Sequence, residues 1–198
     1  SDEELAQWDR ISRRMRVLFH NDGILSQFEG YEDLEEFDWD GYRERYGNIQ
    51  RLDRILEAEG DTPNRYKLSK QSDVLMLFYL LSAEELTALF RRLGYEFDPE
   101  SIVDNIEYYL ARTSHGSTLS RVVHSWVLAR GDRARSWQLL AEALEGDVAD
   151  VQGGTTPEGI HLGAMAGTVD LVQRGQTGLE IRHGLLRLNP CVPPELQG

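Results

Sequence analysis

The chain has 198 residues, 40% of them apolar, with 34 acidic against 21 basic side chains and a formal net charge of −13. That length suits one domain with an ordinary core, and the acidity excludes general nucleic-acid binding, which draws its affinity from Lys and Arg on phosphates. A lone cysteine, Cys191, excludes an internal disulfide, and the longest apolar stretch, 74–81, falls far short of the roughly 20 residues of a bilayer span, so a cytoplasmic protein without a membrane partner is expected. No cationic leader with an apolar core is present at the start. The chain opens Ser1-Asp2-Glu3 without a Met and closes on a Pro-containing stretch after Asn189, which suggests a piece of a larger protein.

In chain order, the spacing predicts a helix over 3–17, then an acidic, aromatic and irregular stretch over 19–41. Helical spacing resumes over 42–59, with Tyr46, Ile49, Leu52, Ile55 and Leu56 on one face, and Gly60 and Pro63 end it. Residues 71–81 are apolar nearly all round, whereas 83–93 is amphipathic and followed by Gly94 as C-cap. A helix over 99–112 is opened by Asp98 as N-cap with Pro99 at its first position. Residues 118–129 are again mostly apolar, 133–144 amphipathic, and 159–172 rich in small and apolar residues.

No period-two alternation lasts, so the class is all-α. A helix apolar all round must be covered on every side, while an amphipathic one keeps a solvent face. Their alternation predicts an inner ring, starting near Lys70, Thr118 and Gly159, and an outer ring that includes the helices at Ala83 and Arg133. A double-ringed α/α toroid and a helical solenoid both fit, and the lack of a fixed repeat period counts against the solenoid.

Two loops concentrate small and hydroxyl residues just before apolar helices. In Arg112-Thr113-Ser114-His115-Gly116-Ser117-Thr118, free N–H groups and a positive dipole end would face an anion. In Gly153-Gly154-Thr155-Thr156-Pro157-Glu158-Gly159-Ile160-His161, Thr156 is a natural N-cap and the glycines permit close approach of a ligand. Either loop alone reads as a helix cap; two, each with a His, favour an anion site. His124 sits in an apolar helix and reads as a satisfied core histidine. Arg130, Arg133 and Arg135 read as a solvated face, Arg112 and His115 do not.

Lys70-Gln71-Ser72-Asp73 places charge and amide at the start of an apolar helix. Sugar binding by Lys70 and Gln71, and simple capping by Asp73 with Lys70 in water, stand level. There is no metal-ligand spacing, nucleophile elbow or nucleotide P-loop. The residues alone yield an all-α domain with a pocket for an anion and a polyol, and name no reaction.

At these segments the sequence resembles glycoside hydrolase family 65, which holds maltose, trehalose, kojibiose and nigerose phosphorylases and some hydrolases. The resemblance rests on Gln27-Phe28-Glu29-Gly30-Tyr31, on Lys70 to Leu75, on Tyr108 to Ser120, and on Gly153 to Thr156 running into Glu158 to Thr168. Ser72 departs from the family pattern, which has Ala there. The resemblance implies an (α/α)6 barrel between a β-sandwich and a small β domain, with 1–189 as the C-terminal half of the barrel and 190–198 as linker. It implies Lys70 and Gln71 as ligands of the glucose unit. Phosphate falls to Ser114, His115, Gly116, Ser117, Thr118, Gly154, Thr155, Thr156 and His161.

The implied chemistry is inverting phosphorolysis of an α-glucosyl disaccharide to β-glucose 1-phosphate, with phosphate as co-substrate and no metal or organic cofactor. The family's general acid is a Glu upstream of residue 1, so no catalytic residue is assigned and the chain alone is expected to be inactive. A family hydrolase using water is the nearest alternative; a helical interaction module, binding through the acidic N-terminal third, is less favoured. The complete enzyme is open to being a homodimer.

Overall fold

The computed structural model describes residues 1–182 and 184–196, Arg182 by its backbone alone. The last two residues of the expected linker, Gln197 and Gly198, lie outside that range. The helices are α1 (Asp2–Ser12), α2 (Trp39–Tyr46), α3 (Leu52–Ala58), α4 (Asp73–Leu80), α5 (Ala83–Leu93), α6 (Ser101–Leu110), α7 (Thr118–Leu128), α8 (Arg133–Glu145) and α9 (Leu162–Asp170). A π-helical turn, Leu171–Gln176, extends α9. It leads into a hairpin of β1 (Glu180–Arg182) and β2 (Leu185–Arg187), paired antiparallel with Ile181 opposite Leu186.

Two rows of helices are present. α4 packs on α7 and α7 on α9, forming an inner row, while α6 lies behind α4 and α7, and α8 behind α7 and α9. α5 turns Leu86 and Phe90 into the core that also holds Val74, Leu75 and Phe78 of α4. This is a partial (α/α)6 barrel. Within the rows α7 is the most enclosed, burying Ser120 to Ser125 and Leu128. Each fully buried Leu or Val side chain contributes roughly 1.5–3 kcal/mol.

Polar pairs fix α7 against α8. Ser125 Oγ donates to Ser136 O (2.9 Å), Ser136 Oγ donates to Ser125 O (2.7 Å), and Arg121 reaches Glu142 at 2.9 Å. On the other side, a Cβ at Gly167 of α9 would lie 2.8 Å from Val122 Cγ1. Glycine is therefore what lets α9 approach α7 so closely.

Several element boundaries differ from those the spacing predicts. The first helix ends at Ser12 rather than at 17, and its apolar face of Leu5, Trp8 and Ile11 is exposed. The helix expected over 42–59 is broken in two, because Gly47 takes φ 67 and sends the chain out of α2. Ile49 then joins Phe37, Leu52 and Leu56 in a separate small core. Asp98 does not cap α6. Its carboxylate accepts from the Glu100 N–H, and Glu100 is the residue before the first helical position.

The helix expected from 159 begins only at Leu162. Thr156–Glu158 forms a 3₁₀ turn and Gly159, at φ 102, breaks the chain direction after it, so Thr156 is not a helix N-cap. The hairpin has no signal in the sequence pattern. Nearby, Cys191 is buried, with its Sγ donating to Ala129 O at 2.9 Å and its N–H to Gln176 O at 2.8 Å. Among the described residues no helix is long and apolar enough to cross a membrane.

Candidate functional site

The starts of the inner helices gather the groups of interest. Ser69 donates its N–H to Arg112 O (2.8 Å) and accepts from the Ser114 N–H (2.9 Å), an isolated parallel bridge between Ser69 and Thr113. That bridge places the exposed Lys70 beside the 113–118 loop. A Cβ at Gly116 would lie 2.5 Å from Gln50 O and 2.9 Å from Lys70 Cγ. Gln152 then ties in the second loop, its Nε2 donating to His115 O at 3.1 Å. Lys70, the 113–118 loop and the 150–156 loop thus meet at one end of the inner row.

The inner helices begin differently from the outer helices α5 and α8, though α6 also lacks a side-chain cap. α5 opens with a capping box from Ser82 and Glu85, and α8 with Asp132 accepting from the Arg135 N–H. No residue at the N-cap of α4, α7 or α9 makes a side-chain cap bond. The first N–H of α4, that of Asp73, is instead taken by Gln27 Oε1 from a distant loop at 2.9 Å, while Gln27 Nε2 donates to Ser69 Oγ at 2.5 Å. At α7 the hydroxyl of Ser117 is not spent on capping. Thr155 is buried in the second loop, with its hydroxyl unpartnered among the described residues.

Ser72, at the start of α4, is fully buried and its Oγ has no partner among the described residues. A buried hydroxyl without a partner costs more than it returns. Ser72→Ala is expected to stabilise the full-length protein by about 1 kcal/mol, read from denaturant midpoints. A loss of stability would show that the hydroxyl is satisfied after all.

The histidines divide. His115, at φ 56, has its Nδ1 3.0 Å from Ser120 Oγ and its ring edge-on to His124, with centroids 4.5 Å apart. Burial, followed by the charge of Arg121, lowers the His115 pKa to about 4. His124 is fully buried as expected but not satisfied, since neither ring nitrogen has a partner among the described residues. Burial and the neighbouring His115 hold its pKa well below the usual value.

Both imidazoles are therefore neutral at pH 7, which leaves His115 a hydrogen-bonding group and not a cation. An unfolded histidine, near 6.5, binds more protons than these folded ones at lower pH. Their contribution to stability is full above that value and is lost as pH falls below it, towards about 4 for His115, at up to roughly 1.4 kcal/mol per pH unit for each group. Thermal melts of the full-length protein across this range should show the fall, and His124→Leu should flatten it. An unchanged acid slope in the variant would refute the assignment.

His161 is occupied differently. Its Nδ1 lies 2.6 Å from Asp147 Oδ1 and its N–H donates to Asp147 Oδ2 at 2.8 Å, contacts that lower the Asp147 pKa. Asp150, at φ 48, turns its carboxylate into the second loop and accepts from the N–H groups of Gly154 (2.7 Å), Thr155 (2.9 Å) and Thr156 (3.1 Å). The backbone donors that the second loop offers to phosphate are thus already engaged, leaving the hydroxyls of Thr155 and Thr156. Hydrogen bonds from these N–H groups, that of Gly154 foremost, keep Asp150 below the usual carboxylate range.

Arg112, for which the sequence favours more than a solvated role, is a tether. It pairs with Glu36 (3.0 and 3.1 Å), donates to Tyr108 O and lies 3.8 Å from the centroid of the Tyr108 ring. Arg130, Arg133 and Arg135 are exposed. Gln27, Gln50, Asp150 and Gln152 were not singled out individually by spacing; only Gln27 lies in a string that carries the resemblance. A cavity of about 970 Å³ lies at the other end of α4 and α7, bounded by Tyr79, Leu80, Trp126 and the hairpin. It contains none of the groups gathered around Lys70.

An inner row of helices whose starts carry ammonium, amide, hydroxyl and imidazole groups is the architecture of a helical-barrel carbohydrate-active domain. Residues 1–170 match the model of the glycosyl hydrolase family 65 central catalytic domain, and the chain belongs to that family. It is 61% identical over 98% of its length to an uncharacterized glycosyl hydrolase of Mycobacterium tuberculosis, of which it spans 14%. It is 38% identical over 96% of its length to the trehalose 6-phosphate phosphorylase of Lactococcus lactis, of which it spans 25%. For the kojibiose phosphorylase of Thermoanaerobacter brockii the figures are 32% over 98%, spanning 23%. A solved structure named as a kojibiose phosphorylase from the human microbiome superposes with a TM-score of 0.65 at 27% identity, over 96% of this chain and 26% of that one. The chain thus spans a quarter or less of these curated relatives.

Proposed function

We propose that the complete protein cleaves an α-glucosyl disaccharide by inverting phosphorolysis. A phosphate oxygen attacks the anomeric carbon from the face opposite the leaving sugar, whose bridging oxygen takes a proton from a general acid. The products are β-glucose 1-phosphate and a free sugar. The acid is a Glu outside this chain, so the chain by itself is inactive. Lys70 and Gln71 hold the glucose unit. The loop of Ser114, His115, Gly116, Ser117 and Thr118 receives phosphate together with Thr155, while Gly154, Thr156 and His161 shape the second loop. Reaction in the cytoplasm, without metal or organic cofactor, and a homodimeric complete enzyme belong to the same proposal.

The observation that carries it is the meeting of Lys70 with a helix start whose Ser117 hydroxyl is not used as a cap. The phosphorylase names of the relatives from L. lactis and T. brockii support it. The rival is hydrolysis, which needs a carboxylate base beside the anomeric carbon. Asp150 is the carboxylate built into the second loop, and the N–H groups it accepts make it a poor base.

The test is the phosphate dependence of cleavage by the full-length protein. Ser117→Ala and Thr155→Ala should each raise the KM for phosphate, by the equivalent of about 1 to 3 kcal/mol for a charge-assisted bond, with little change for the disaccharide. Lys70→Ala should weaken sugar use first. Release of free glucose at the same rate without phosphate would establish the hydrolase instead.

A further inference from the structure

A second cavity, of about 360 Å³, opens between α2, α3 and the second loop. Its polar lining is Tyr46, Asn48, Arg51, Arg54 and Gln152 with Gly153, and Ile55 and Ala58 add apolar wall. In a chain with 34 acids against 21 bases, this lining has two arginines and no carboxylate. Arg51 and Arg54 are three residues apart at the start of α3, which puts them on one face. Arg51 has only a long contact to Asp53, at 3.4 Å, and Arg54 is exposed, without an ion pair among the described residues. Planar guanidinium forks match the oxygens of a phosphate monoester better than any neutral sugar hydroxyl.

The cavity adjoins the candidate site across the buried Gln152, which lines the cavity and whose Nε2 donates to His115 O at 3.1 Å. Its size is at the lower end of small-molecule pockets, which run from roughly 300 to 1,000 Å³, and it suits one sugar unit rather than a chain of them. We propose that this pocket binds the phosphate monoester of a phosphorylated sugar, the unit released when the glucosidic bond is cleaved. The inference rests on the phosphorolysis proposed above, in which Lys70 and Gln71 take the transferred glucose and leave the second pocket to the other unit. The monoester is untouched in the reaction: the released sugar gains only the proton from the general acid.

Isothermal titration of the full-length protein with glucose 6-phosphate, glucose and inorganic phosphate tests this without requiring turnover. Glucose 6-phosphate is expected to bind about tenfold or more tighter than glucose, the worth of one charge-assisted contact. In Arg54→Ala that ratio should fall close to one, Arg54→Lys should restore part of it, and the control Arg43→Ala, outside the pocket, should leave it intact. Equal binding of glucose and glucose 6-phosphate by the unaltered protein would overturn the proposal, as would a preference that survives both Arg54→Ala and Arg51→Ala. Inorganic phosphate binding as tightly as glucose 6-phosphate, and equally sensitive to Arg54, would replace the sugar phosphate with a free-phosphate site. If the Arg54-dependent preference is found but no disaccharide is phosphorolysed, the pocket stands and the reaction assigned above fails.

Discussion

Replacing Gly116 by alanine should lower kcat/KM for phosphorolysis by the full-length protein about 10²-fold, the cost of misplacing reacting groups by around an ångström. The new methyl would lie 2.5 Å from Gln50 O and 2.9 Å from Lys70 Cγ. The lysine stem can swing aside, but the carbonyl belongs to the backbone that enters α3, so the 113–118 loop must retreat from that backbone. Overpacking of this kind also destabilises by about 1–3 kcal/mol, and a thermal melt run beside steady-state kinetics separates that loss from the loss of activity. Activity within a factor of two of the unaltered protein would mean that the contact between Lys70 and the 113–118 loop has no part in the reaction.

Asp150→Ala should raise the KM for phosphate, also by about 10²-fold if Thr155 moves by an ångström or so. The Asp150 carboxylate accepts from three successive N–H groups and organises Gly154 to Thr156 around itself. Its pKa is depressed, so this stabilisation is present above the ordinary carboxylate value and is lost only as pH falls through the lowered one. The loop is therefore held throughout the neutral range. Asp150→Asn, which keeps one acceptor oxygen, should fall between. A lower KM for phosphate in Asp150→Ala would reverse the interpretation: the carboxylate would then be competing with phosphate for the same donors.

The distribution of burial was legible in the local periodicity of α5, α7 and α8, but not in that of α1, whose apolar face is exposed, nor in α9, where Leu162 and Val169 are exposed. An apolar stretch such as 118–129 cannot meet water on any side, and α7 is the most enclosed helix of the structure. Amphipathic 83–93 and 133–144 have charged faces that water solvates, and both open with their own capping side chains. The loops at 113–118 and 153–156 carry small, hydroxyl and glycine residues, and the structure brings them together. Boundaries were less legible: Gly47 breaks a periodic stretch in the middle and Gly159 delays α9 to Leu162, since a positive φ at one glycine redirects the chain without disturbing the pattern around it.

What the sequence determined by itself was the all-α class, the two kinds of helix and the family, because hydrophobic periodicity and long ordered motifs are local properties of the chain. Tertiary structure decided the partners. Asp150 fills the nest of N–H groups offered to an anion, Asp147 claims His161, Arg112 is spent on Glu36 and Tyr108, and Gln27 caps a helix 46 residues further along. A donor or a charge has the same identity in sequence whether it is free or satisfied. Only the distances set by folding, over which hydrogen bonds and burial act, determine which groups remain for a ligand.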